Sequence, residues 1–138
     1  MVDAAKGQVL AFFAVVLPVV LLPIAAYAVD ATIVAGREAG LQAATAQAAE
    51  TAAQQLNVAA IRSTGVLTLD STAVNLVVAQ TLVEDAQGAR VDSSTVSGAE
   101  VTVVTSEPVT LPFSVFTQTV TLHAHATARL VAGYDRPS

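Results

Sequence analysis

Residues 6–30 of the chain read KGQVLAFFAVVLPVVLLPIAAYAVD, and this stretch decides the architecture. From Gly7 to Val29 no side chain carries a charge. The run is slightly longer than the about 20 apolar residues that a helix needs to cross a bilayer, and a core helix of so small a protein would not be apolar on every face. Pro18 and Pro23 would interrupt a helix in water, but membrane helices tolerate proline. A membrane-spanning helix is therefore predicted.

A cleaved signal peptide is the alternative interpretation of the same stretch. Ala26-Tyr27-Ala28 has the small-x-small form after which signal peptidase cleaves. Cleavage after Ala28 would release a secreted, soluble, β-rich binding module. The meagre basic region before the run, the length of the run and the helical pattern beyond it favour retention. Lys6 and the amino terminus favour a cytoplasmic N-terminus, an effect that Asp3 partly cancels.

The helical pattern continues well beyond the apolar run. Residues 31–62 are rich in Ala, Gln, Leu and Glu, which favour helix, and they contain no proline. We therefore predict a leader-like segment at 1–7, followed by one helix over residues 8–62 that spans the membrane to about Val29. Small apolar side chains recur along it at three- and four-residue spacing. They form an alanine stripe, which we define as Leu41, Ala44, Ala48, Ala52 and Leu56.

The alanine stripe favours close packing, because small side chains let another helix or sheet approach. Two partners fit such a surface. The stripe can pack against other subunits of an assembly, or it can dock on the sheet of its own chain. The sequence leaves both interpretations open.

Residues 63–138 predict a small head domain that begins with a short helix. Ser63-Thr64-Gly65 carries the turn chemistry that ends the long helix. Asp70 or Ser71 is a suitable N-cap for the second helix, which Gly88 stops.

Strands are predicted after Gly88, because the apolar period changes from helical spacing to two. Pro108 and Pro112 bracket a segment that we expect to be an edge or a loop, since proline cannot donate to a sheet. The fold class is α+β, with about three antiparallel strands in the head domain. The predicted strands cover residues 90–96 at an edge, 99–105 and 118–131.

Composition excludes several classes of function. The formal net charge is −5 and no basic stripe is present, so nucleic acid is not an expected partner. Cysteine is absent, which excludes disulfides, thiolate metal sites and thiol nucleophiles. A core built from Ala and Val buries little area per residue, so we expect partner surfaces to supply part of the stability.

His123 and His125 are the candidate metal ligands. Residues two apart on a strand point to the same face, but a site needs a third ligand from Glu100, Glu107 or Asp92. The favoured interpretation is two exposed histidines on the outer face of the sheet, opposite an alanine-rich inner face. No cofactor is predicted.

No catalytic constellation is predicted either. The serines lack a nucleophile-elbow context, and no glycine-rich phosphate loop follows a strand. Arg37 and Glu38 are expected on a solvated face. Asp30, at the predicted membrane boundary, either pairs with a neighbouring helix in an assembly or marks a solvated helix end.

An ordered series of motifs resembles a known family. GQVLAFFAVVLP at 7–18, AVDA at 28–31 and GREAGLQAATAQAAETAA at 36–53 are similar to the N-terminus of TadE/TadG-like pilus-assembly proteins, the pilin-like components of tight-adherence (Flp-type) machines. Such members begin with a short charged leader that ends in Gly, here Gly7, which implies processing between Gly7 and Gln8. The resemblance extends weakly to the C-terminal strand HAHATAR at 123–129.

One position departs from the pilin pattern. Pilin-like proteins usually carry Glu at the fifth residue after the leader glycine, where it pairs with a neighbouring subunit's terminal amine. Phe12 occupies that position here. TadG-like members often lack this Glu, and Phe12 is compatible with an uncleaved chain, because an unpartnered buried carboxylate would be costly.

The resemblance implies a structural function. The protein is predicted to be a membrane-anchored, pilin-like subunit with its head domain outside the cytoplasm, in or near a cell-surface pilus that serves adhesion. Its expected partners are the membrane and other pilin-like subunits in a homo- or hetero-oligomeric filament. Phe12, Pro18 and Pro23 are expected to shape the spine of the helix, and the alanine stripe and Asp30 are its predicted assembly positions.

Overall fold

The computed structural model describes residues 2–114 and 118–130, with side chains from Gly7 onward. It confirms the α+β fold class, with a long N-terminal helix and three antiparallel strands. The predicted end of the last strand at Val131 lies outside the described residues. The elements are α1 (Val2–Ala52), α2 (Val58–Thr64), α3 (Ser71–Asp85), β1 (Arg90–Ser97), β2 (Glu100–Thr110) and β3 (Thr119–Arg129).

The chain divides into two compact units. The N-terminal unit comprises residues 1–35 and 110–120, and the sheet unit comprises residues 36–109 and 121–138. Helix α1 contributes to both, because it is continuous from Val2 to Ala52. It passes through Pro18 and Pro23 without ending, although each proline leaves the carbonyl four residues earlier without its helical donor.

Helix α1 ends at Ala52, ten residues before the predicted end at Arg62, so that boundary was wrong. The backbone tightens there, with Gln54 N–H donating to Thr51 O and Gln55 N–H donating to Ala52 O. Leu56 then forms an isolated antiparallel bridge with Leu69. Helix propensity favours continuation through this segment, but the tertiary pairing prevails over it.

A separate short helix follows the bridge. Asn57 caps α2 by accepting the Ala60 N–H at 2.9 Å, and Asn is a common residue at this position. Gly65, at φ +70°, ends α2, so the Ser63-Thr64-Gly65 turn closes this helix and not α1. Leu56 lies outside any helix, with 39% of its surface exposed.

Helix α3 agrees with its sequence signals. Asp70 is the N-cap, and its side chain accepts the backbone N–H groups of Thr72 and Ala73. The helix ends at Asp85, before Gly88 at φ +102°. Its buried face consists of Val74, Val78 and Leu82.

The sheet has the order β1-β2-β3, so β2 is central. A two-residue turn at Gly98-Ala99 joins β1 to β2, and Gly98 has φ +63°, as the first central position of a type II′ hairpin requires. A bulge between Val91 and Ser93 shifts the register of β1. The Oγ atoms of Thr102 and Thr127 lie 3.1 Å apart across β2 and β3.

Pro108 lies within β2, so the loop alternative was wrong. The last pair between β1 and β2 is Arg90 with Ser106. Within the described residues, β2 therefore has an open edge on the β1 side beyond Ser106, which agrees with the edge alternative. A proline is tolerated where its missing N–H faces an unpaired edge, even in a strand that is central elsewhere.

The core of the sheet unit lies where α1 and α3 meet the sheet. Alanine supplies the α1 side of this core, and β-branched residues supply the sheet side. Its buried members are Ala44, Ala48, Ala49 and Ala52 of α1, Leu69, Val74, Val78 and Leu82 around α3, and Val101 and Val103 of β2. From Leu41 to Ala52 the alanine stripe is buried within its own chain, which is the second of the two interpretations that the sequence left open.

Ala48→Leu is expected to destabilise the sheet unit by about 1–3 kcal/mol, because three extra carbons must enter a fully buried site. Ala46→Leu is the matched control, since Ala46 is exposed on the same helix. Urea unfolding in detergent micelles measures both variants. Equal midpoints for the two would contradict the burial of Ala48 against the sheet.

Candidate functional site

The apolar run of α1, residues 7–29, is the most extensive exposed feature of the N-terminal unit. Its large apolar side chains are 36–72% exposed, from Val16 to Leu10. In the described part of the chain, α1 is the one helix long and apolar enough to cross a membrane. An exposed apolar surface of this extent is unfavourable in water, so the run is compatible with a lipid environment.

The predicted processing and spine positions lie on this exposed surface. Gly7 and Gln8 are exposed within α1, and in the described part of the chain no other segment packs against Gly7. Phe12 is 63% exposed and stands edge-on to Phe13, with the ring centroids 6.2 Å apart. Pro18 and Pro23 are exposed too. The leader cleavage stays a prediction.

Asp30 directly follows the apolar run and is buried, with only 4% of its surface exposed. Its Oδ1 accepts the backbone N–H of Phe113 at 3.3 Å. Both residues belong to the N-terminal unit. Asp30 is therefore not a solvated helix end, and its pairing in an assembly stays a prediction. Its partner is the segment that follows β2.

Arg37 is exposed, as predicted, and it also pairs with a buried carboxylate. Its guanidinium Nη1 lies 3.4 Å from Oε1 of Glu107, and the Glu107 side chain is only 8% exposed while that of Arg37 is 60% exposed. A carboxylate this buried needs a partner, because desolvation penalises an unpaired charge. Arg37 provides that partner from the solvent side of the ion pair. Glu38 is exposed as well.

A second polar contact joins α1 to β2 inside the sheet unit. The Oγ1 atoms of Thr45 and Thr105 lie 2.6 Å apart, and both residues are fully buried. Thr45 Oγ1 also donates to Leu41 O at 2.7 Å. A hydroxyl has one hydrogen, so Thr105 is the donor of the bond between them. The pair aligns α1 with β2 by a directional contact that alanine packing lacks.

His123 and His125 lie on the outer face of β3, as predicted. Both are exposed, whereas Leu122 and Ala124 between them are buried. Glu107 points to the opposite face of the sheet, where it pairs with Arg37. Within the described residues, no group of three His, Cys, Asp or Glu side chains is placed to hold a metal ion.

Asp92, Ser106 and His123 meet on the outer face of the sheet. Ser106 Oγ donates to Asp92 Oδ1 at 2.8 Å, and His123 Nδ1 lies 3.8 Å from Asp92 Oδ2. The serine thus directs its hydrogen at the carboxylate and not at the imidazole. A nucleophilic serine requires the opposite order, with the base on the hydroxyl. The cluster is a surface polar contact across the strands.

The paired residues that sequence reasoning missed are Thr45, Thr105, Glu107 and Phe113. The alternation of inward and outward residues along β2 would have indicated part of these pairs. Val101, Val103 and Val109 face the core, and the same parity places Thr105 and Glu107 inward. Helical spacing from Leu41 likewise places Thr45 on the buried face.

Thr45→Val is expected to cost about 1–3 kcal/mol, because the buried Thr105 hydroxyl loses its acceptor. Thr105→Val is expected to cost less, since Thr45 keeps its bond to Leu41 O. The double variant should cost less than the sum of the two single variants. Urea unfolding of the four proteins measures this cycle. A larger loss for Thr105→Val would contradict the assigned donor.

The chain was compared with known proteins at the level of sequence and of fold. No protein-family model, curated protein or solved structure matches it. The function must therefore be argued from its own residues.

Proposed function

We propose that this protein is a membrane-anchored structural subunit of the pilin-like type, belonging to a bacterial tight-adherence pilus or to its assembly machinery. The apolar run of α1 holds the chain in the bilayer and packs against other subunits. The sheet unit is carried outside the cytoplasm.

The exposed apolar run is the observation that carries the proposal. Its large apolar side chains are 36–72% exposed in the described part of the chain, and Asp30 is the first charged residue after Lys6. In a bilayer the lipid covers these side chains, and in a filament neighbouring helices replace the lipid. The backbone of a helix satisfies its own hydrogen bonds in either environment.

The closed core of the sheet unit narrows the surfaces available for assembly. Ala44, Ala48 and Ala52 are at most 4% exposed, so subunit contacts through them would require the unit to open. The described core of the sheet unit contains no side chain of the apolar run. The resemblance to TadE/TadG-like proteins at 7–53 covers both parts of the helix and supports the choice of a pilin-like subunit.

The first test is the membrane retention of the native chain. We expect the protein to stay in the membrane fraction after alkaline carbonate extraction, with an intact mass that begins at Met1 or, after leader processing, at Gln8. A mass that begins at Val29, with the protein in the soluble fraction, would overturn the proposal. That outcome would favour the secreted β-rich module instead.

The second test separates a subunit from a lone anchor. A photoactivatable phenylalanine analogue replaces one residue at a time from Val9 to Leu22 in the native membrane, and mass spectrometry identifies the adducts. We expect adducts with this chain or with another pilin-like chain, and their yield should follow a helical period. The analogue at Val83, which is 73% exposed on α3, is the control outside the apolar run. Adducts with lipid alone at every position would overturn the subunit role.

A further inference from the structure

The segment that follows β2 reaches the end of the apolar run. The Phe113 N–H donates to the carboxylate of Asp30, one residue beyond Val29. Leu111 N–H donates to Gln118 O at 2.9 Å, and Ser114 Oγ donates to Leu111 O at 3.0 Å. These bonds hold Leu111–Ser114 in one compact turn within the N-terminal unit.

The side chains of this turn differ in exposure. Leu111 is buried at 8%, whereas Phe113 is 56% exposed. Leu17, in the middle of the apolar run, has the same exposed fraction of 56%. No residue from 108 to 128 is Asp, Glu, Lys or Arg. The turn therefore presents an aromatic ring, without any charge near it in sequence, beside the point where the apolar run ends.

The carboxylate of Asp30 indicates the depth in the membrane at which the Phe113 ring is expected. A carboxylate is costly in hydrocarbon, so Asp30 fixes the boundary of the span near the headgroup region. Asp30 is buried, and the turn supplies an N–H to its carboxylate. Trp and Tyr are enriched at this depth, and interfacial segments also bury Phe side chains at the boundary between headgroups and acyl chains.

We infer that the turn Leu111–Ser114 is a second membrane contact, in which Phe113 inserts into the membrane–water interface and Asp30 positions it. The inference rests on the proposed function, because it requires the apolar run to span a bilayer. The occupant of this surface is the lipid interface. Continuity with the apolar run favours lipid over a protein partner.

The test uses single-tryptophan variants, because the chain contains no tryptophan. Phe113→Trp is compared with Leu17→Trp, which matches it in exposure, and with Val83→Trp, which is 73% exposed on α3. The full chain is reconstituted at low density in phosphatidylcholine vesicles that carry a nitroxide either near the headgroup or deep in the acyl chain. Aqueous iodide is the third quencher.

We expect the tryptophan of Leu17→Trp to be quenched most by the deep nitroxide. That of Phe113→Trp should be quenched several-fold more by the shallow nitroxide than by iodide. That of Val83→Trp should be quenched by iodide alone. If Phe113→Trp behaves like Val83→Trp while Leu17→Trp stays quenched by lipid, the inference is overturned and the anchor stands. If neither nitroxide-labelled lipid quenches Leu17→Trp, the proposed function fails as well.

The role of Asp30 is tested in the Phe113→Trp background. Asp30→Asn keeps an oxygen that accepts the Phe113 N–H, so the shallow quenching should be retained. Asp30→Leu removes the acceptor, and most of the shallow quenching should be lost while the thermal unfolding of the sheet unit is unchanged. Equal quenching in the two variants would overturn the positioning role of Asp30.

Discussion

The packing of alanines from α1 against the β-branched face of β2 is the constraint on which the rest of the structure depends. Ala48 and Ala52 share the core with Val101 and Val103, and a larger side chain at either alanine would have to enter a fully buried site. Each alanine contributes little apolar area. The same helix carries the apolar run, so the segment compatible with a membrane anchor and the segment that contributes to the core of the sheet unit are one continuous element.

Polar contacts complement this packing at defined points along α1. Alanine alone specifies register weakly, because neighbouring alanines are interchangeable in shape. Thr45 with Thr105, and Arg37 with Glu107, each join one position of α1 to one position of β2. A shift of the helix along the strand would leave a buried hydroxyl and a buried carboxylate without partners, which is unfavourable. These two pairs therefore select one alignment.

The proposed subunit divides its surface between two kinds of contact. The alanine stripe is buried inside the chain from Leu41 to Ala52, and we therefore propose the apolar run as the surface for assembly. An apolar helix suits both lipid and neighbouring helices, because its contacts are non-directional in either environment. The outer face of the sheet, with His123 and Asp92, is polar and exposed and offers a different surface to the solvent.

The sequence by itself determined the features that depend on local spacing. The uncharged run, the α+β class, the Asp70 cap and buried face of α3, and the outward histidines all follow from periodicity and capping chemistry. Only the tertiary structure decided where α1 ends and which polar groups pair. Asp30 and Phe113 are 83 residues apart, Arg37 and Glu107 are 70 apart, and Thr45 and Thr105 are 60 apart. Local propensity carries no information on such pairs, because the free energy that selects them arises when distant segments bury each other's polar groups.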